Sequence, residues 1–215
     1  RKWAMSPQTV NAYFSPTKNE IVFPAAYLQP PNFIPSADDA VNYGAIGVTI
    51  GHEISHAFDD KGSQYDGDGK LNNWWSDQDR RIFDEKTKRL VDQYSTYEPV
   101  PGVNINGELT LGENIADLAG AKASFRAYKI SLKGNRSPLI DGLTGEQRFF
   151  IGSAQSDRVK FRKEIEEMRV ATDPHSPARF RIDGVLVNME EFHQAFNTKE
   201  GDKLFRDVED IIKIW

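Results

Sequence analysis

The chain has 215 residues, 39% of them hydrophobic and 27% charged, with a formal net charge of −5. That length suits one domain with a real core, and an acidic balance gives nucleic-acid binding no electrostatic support. No apolar stretch reaches transmembrane length, and the absence of cysteine excludes disulfides, a thiol nucleophile and a thiolate metal site.

The opening Arg1-Lys2-Trp3-Ala4 shows no secretory signal pattern, and the start reads as the interior of a longer protein. Val10 to Phe14 and Glu20 to Phe23 are predicted strands, joined by the turn residues Ser15 to Asn19. Prolines 30, 31 and 35 keep the stretch from Tyr27 to Asp38 out of regular helix. Asp39 to Ala57 is then a long buried helix. It carries Gly44, Gly47 and Gly51 despite their propensity cost, which implies close approach of another backbone or of substrate.

Asp66-Gly67-Asp68-Gly69 lacks the carboxylate spacing and closing Glu of an EF-hand loop and reads as a solvated turn. Ser76 to Tyr94 is an amphipathic helix opened by Ser76 and Asp79 in the manner of a capping box. Leu109 to Ile130 is a second long helix, and Thr144 to Val170 a third, opened by Thr144 with Gln147. Thr172 to Arg179 is an irregular loop. Asn188 to Phe196 is a short helix capped by Asn188 with Glu191. The fold class is mainly α with a small β-sheet (α+β).

Within the first long helix stands His52-Glu53-Ile54-Ser55-His56. Two histidines four apart project from one helix face and can share one zinc ion. Glu53 lies beside them as the general base for water acidified by that ion. Catalytic zinc takes three protein ligands, and the candidate for the third is Glu113 on the second long helix. Asp117, four residues on, shares its face; one carboxylate can bind metal while the other accepts a histidine ring N–H. Asp59 and Asp60 read as residues of the turn after the motif or as carboxylates supporting the ligand histidines, the turn being preferred; Trp74-Trp75 reads as packing, and His193 as a surface histidine without a role.

His-Glu-x-x-His followed by Glu-x-x-x-Asp resembles the neprilysin (M13) family of zinc endopeptidases, which are similar to thermolysin in their active-site helices. Val10 to Phe14 resembles that family's substrate-binding strand, and His175 to Arg181 its His-Ser-Pro loop. The terminal Trp215 matches as well. The resemblance implies a thermolysin-like gluzincin catalytic domain over residues 1–215, holding one Zn2+ on His52, His56 and Glu113. It assigns peptide-backbone contacts to Asn11 and Ala12, transition-state stabilisation to His175 and substrate carbonyl binding to Arg181. Glu53 and Asp117 complete the catalytic set. Val48 and Thr49 fall on a pocket that accepts apolar side chains in relatives. Ile212 stands where animal members have cysteine, which points to a bacterial-type member.

Family members are about three times longer, with an N-terminal helical lobe that roofs the site. The chain is therefore expected to be a fragment that associates with such a lobe. The resemblance further implies an oligopeptide substrate and a secreted, periplasmic or membrane-anchored location, with cytoplasmic members among bacteria. Two rival readings are a non-catalytic interaction or scaffold module pairing with that lobe, and a zinc hydrolase of non-peptide esters or amides.

Overall fold

A computed structural model describes residues 3–215. Strands β1 (Tyr13–Ser15) and β2 (Glu20–Val22) pair antiparallel, with Phe14 opposite Ile21. The first strand is shorter than its pattern suggests. Asn11 and Ala12 precede it, and Val10 is 67% exposed, so nothing draws the upstream residues into a ladder.

The predicted helix over 39–57 is observed in three joined parts: α1 (Asp39–Asn42), a π-helical turn (Tyr43–Gly47) and α2 (Val48–Ser55). Asp38 caps α1 by accepting from the Ala40 amide, and its carboxylate also pairs with Arg148 at 2.8 Å. The remaining helices are α3 (Asp77–Ser95), α4 (Leu111–Ser131), α5 (Gly145–Ser156), α6 (Lys163–Thr172), α7 (Ala178–Leu186) and α8 (Glu190–Phe196). Ser76 caps α3 as expected, accepting from the Asp79 amide at 3.1 Å. Thr144 and Gln147 form a true reciprocal capping box on α5.

Three expectations are corrected. The helix over 144–170 is two helices, because α5 runs out of buried face after Ser153 and residues 158–162 are all exposed. Helices are held mainly by packing of an apolar face, and this stretch offers none. The loop expected over 172–179 is shorter, because α6 runs to Thr172 and α7 opens at Ala178. Asn188 does not cap α8, whose preceding residue Met189 makes no side-chain cap. Asn188 is instead fully buried, donating to Gln93 Oε1 (2.8 Å) and Gly184 O (2.9 Å) and accepting from the Ile212 amide (2.9 Å). A buried amide with partners on several elements outweighs a local cap.

The core gathers around α4, where Ile115, Leu118, Ala121 and Phe125 meet Leu90 and Tyr94 of α3 and Phe149 and Phe150 of α5. Trp75 packs on Phe83 and Trp215, whereas Trp74 is 47% exposed. The Asp66 loop is a turn closed on itself, its carboxylate accepting from the amides of Asp68 and Lys70 at 3.0 Å each.

The packing that positions the site is that of α2 on α4. A Cβ on Gly51 would lie 2.7 Å from the Gly120 carbonyl oxygen, and one on Gly120 would lie 2.5 Å from the His52 nitrogen. The two helices therefore touch backbone to backbone, closer than side chains allow. Gly44 and Gly51 serve approach of a backbone, one of the two reasons their presence implied, whereas a Cβ on Gly47 would meet the Ser124 hydroxyl at 2.5 Å.

Candidate metal and active site

Helix α2 delivers His52 and, at its C-terminal end, His56; α4 delivers Glu113 and Asp117 from its first two turns. The two Nε2 atoms face one another at 3.0 Å. Glu113 Oε2 lies 3.2 Å from the first and 3.7 Å from the second. This oxygen is buried and makes no well-formed hydrogen bond.

Each ring is held from behind. His52 Nδ1 is 2.7 Å from Asp117 Oδ1, and His56 Nδ1 is 2.7 Å from Asp59 Oδ2. Carboxylates at both Nδ1 atoms favour the tautomers whose Nε2 lone pairs point inward. Two such lone pairs and a carboxylate oxygen repel one another unless a cation sits among them. The three ligand atoms lie within 4.8 Å of each other, and a His2Glu donor set suits a zinc ion with one coordination position left open. The residues present thus fit the metal that the motif implies.

Electrostatics follow from burial and these contacts. Burial opposes a charge on His52, yet the carboxylates of Asp117 and Glu113 outweigh it and raise the ring's pKa to about 9 in the metal-free chain. Asp117 is likewise opposed by burial, but the Arg181 guanidinium and His52 hold its carboxyl far below the usual range. Arg181 grips it with two bonds, Nε at 2.8 Å and Nη2 at 2.6 Å. Glu53 is 5% exposed, and its burial raises the carboxyl's pKa, with His52 and His56 opposing. A carboxylate shifted upward in this way suits a role in proton transfer.

The loop before α7 brings His175 to the same place. Its Nε2 lies 3.2 Å from Glu113 Oε2, and its Nδ1 is 2.8 Å from Asp173 Oδ1. Ser176 anchors the loop by donating to Asn114 Oδ1 at 2.8 Å, with both residues buried.

A cleft of about 530 Å³ runs over these groups, and all nine residues named from the sequence line it: Asn11, Ala12, His52, Glu53, His56, Glu113, Asp117, His175 and Arg181. Val48 and Thr49 line it too. Asp59 serves in two capacities: besides holding His56 it accepts from the amides of Lys61 and Gly62, so its contacts match both readings, the turn residue and the support of a ligand histidine. Its spacing of three from His56 was the available signal. Asp173, two residues before His175, carries an equivalent local signal, and Asp157 carries none.

The family model of Peptidase family M13 matches residues 11–212. Endothelin-converting enzyme 1 of Mus musculus is 47% identical over 207 residues, covering 94% of this chain and 27% of that protein. Neprilysin-11 of Caenorhabditis elegans is 48% identical over 197 residues, covering 89% of this chain and 23% of its own length. The chain thus spans about a quarter of the length of the curated relatives it matches. Among solved structures, the zinc metalloprotease ZMP1 of Mycobacterium tuberculosis in complex with inhibitor superposes with a TM-score of 0.97 at 53% identity, over 100% of this chain and 34% of that one. PepO from Lactobacillus rhamnosis superposes at 0.89 and 38% identity, over 100% of this chain and 32% of its own. The zinc-binding pattern, the α-rich fold and the extent of these matches lead to one conclusion: the chain belongs to peptidase family M13.

Proposed function

We propose that the chain carries the catalytic centre of a zinc-dependent endopeptidase acting on oligopeptides. The observation that carries this reading is the pair of Nε2 atoms 3.0 Å apart, braced by Asp117 and Asp59, with the half-buried Glu113 closing the set and buried Glu53 beside it.

His52, His56 and Glu113 would hold one zinc ion, which when bound supplies Lewis acidity toward water and the scissile carbonyl. Glu53 takes the proton from the attacking water and passes it to the leaving amine, a shuttle that its raised pKa favours. His175, steadied by Asp173 and the Ser176 anchor, donates toward the developing oxyanion. Asn11 and Ala12, just ahead of β1 at the cleft, offer backbone and amide groups to an extended peptide. Arg181 acts chiefly through Asp117, fixing the carboxylate that fixes His52. Its Nη1 has no hydrogen-bond partner among the described residues and remains for a substrate carbonyl.

One observation favours an interaction role alongside catalysis. Ile50, Ile54 and Phe58 follow at intervals of four along the zinc-motif helix and are 39%, 49% and 43% exposed. They adjoin Trp74 and Trp215 through Phe58, making an apolar strip that suits cover by further protein. Such cover would come from the additional length present in relatives, and it leaves the cleft chemistry unchanged. No helix among the described residues is long and apolar enough to cross a membrane.

Metal analysis joined to a fluorogenic peptide assay tests the reading, with Glu53→Gln as control. About one zinc per chain and cleavage lost only in the variant support it. Absence of stoichiometric zinc, or equal cleavage by both proteins, overturns it.

A further inference from the structure

The cleft extends past the metal ligands. Ala45, Val48, Thr49 and His52 share one helix face and all line it, so it continues roughly 10 Å beyond His52 along the helix. Tyr27, Ser156, Asp157 and Arg181 line the same cleft. The Tyr27 hydroxyl is tied to Thr49 Oγ1 at 2.9 Å, which leaves its ring as a wall.

Asp157 is the unusual member. It directly follows the last residue of α5, at the point where that helix loses its buried face. Its carboxylate makes no hydrogen bond or ion pair among the described residues. The cation that acts on it most is Arg181, whose Nε and Nη2 are both taken by Asp117. Burial pushes Asp157's pKa up, and Arg181 only partly opposes this. Asp157 is half-buried at the cleft wall, and a carboxylate partly shielded from water without its own counter-charge gains from a cation that a ligand brings. The surrounding Ala45, Val48 and Tyr27 ring are apolar, which suits a long aliphatic stem.

We propose that Asp157 determines specificity: this end of the cleft takes the lysine or arginine side chain of a peptide residue next to the scissile bond. The stem packs on Val48, Ala45 and the Tyr27 ring while the charged head reaches Asp157. A leucine or phenylalanine there would cover the carboxylate and give it no partner, and a glutamate would face a like charge. The apolar pocket expected around Val48 and Thr49 is thereby converted into one with a charged end. The proposal rests on the endopeptidase reading above and specifies its substrate.

The test uses the full-length, zinc-loaded protein and fluorogenic peptides carrying Leu, Phe, Lys, Arg or Glu on either side of the cleaved bond. The expected result is a kcat/KM for Lys or Arg at one of these positions at least about tenfold above that for Leu. Asp157→Asn should shrink that ratio by about tenfold, and Asp157→Glu should retain most of it. A Lys-to-Leu ratio near one in the wild type, or the same ratio in Asp157→Asn, overturns the proposal while leaving the endopeptidase reading intact. Calorimetric binding of the same peptides to the Glu53→Gln protein reads the preference without turnover. Tighter binding of the Lys peptide that is lost on adding Asp157→Asn supports the proposal even if the wild type cleaves nothing, a result that would sink only the catalytic reading. Equal affinities for Lys and Leu peptides overturn it.

Discussion

Gly51 and Gly120 meet backbone to backbone, the position of a Cβ on the first lying 2.7 Å from the carbonyl oxygen of the second. This contact sets the distance between α2 and α4, and hence the distance of His52 from Glu113 and Asp117. Gly120→Ala forces the helices apart, because the obstructing atoms are backbone and cannot rotate away. The expected cost is about 1–3 kcal/mol of stability, typical of overpacking, accompanied by weaker zinc retention. Thermal unfolding and competition with a chelator measure the two effects. Wild-type zinc affinity in the alanine variant would show that the spacing tolerates expansion.

Asp59 and Asp117 hold the two histidine rings in the same way but differ in what else they hold. Asp59→Ala should lower zinc affinity or activity by about 10- to 100-fold, the usual effect of losing a carboxylate behind a metal-bound histidine. Asp117→Ala should do the same and leave the half-buried Arg181 guanidinium without its carboxylate, at about 1–3 kcal/mol, whereas Asp59→Ala leaves the Lys61 and Gly62 amides without their acceptor. Zinc titration beside urea denaturation separates the cases. An equal stability loss from Asp117→Ala in an Arg181→Met background would remove Arg181 from this account.

Ser176 carries the His175 loop onto α4 through Asn114. Ser176→Ala leaves the Asn114 oxygen buried and unpaired, at about 1–3 kcal/mol. It frees the loop that presents His175, so kcat should fall more than KM rises. A change in KM alone would place His175 in ground-state binding.

Acid sensitivity is expected at the entry to the zinc-motif helix. The Arg148 guanidinium, bonded to Asp38, lowers that carboxyl's pKa below its ordinary 3.8, with burial opposing. A depressed folded-state pKa contributes stability that is complete above about 3.8 and fades as pH falls through the folded value. Asp38→Asn should therefore be less stable than wild type at pH 7, and the gap should narrow below pH ~3.8. Urea midpoints for both proteins across that range decide it; a gap that widens toward acid would contradict the linkage.

What this sequence determined alone is what depends on spacing within one helix. His52 and His56 share a face because they are four apart, and so do Glu113 and Asp117; periodicity places each pair without any knowledge of the fold. The caps at Ser76 and Thr144 are local in the same sense. Tertiary structure decided whatever depends on which helix meets which. That Asp117 supports His52 rather than His56, that Arg181 grips Asp117, and that Ser176 docks on Asn114 follow from the packing of α2, α4 and the loop before α7. Asn188 shows the conflict directly: its local signal is a helix cap, and burial among Gln93, Gly184 and Ile212 overrode it. The break after Ser156 was equally hidden, since it depends on where α5 stops being covered. Asp157 stands at that break, and only the assembled cleft shows its carboxylate in the same groove as the zinc ligands.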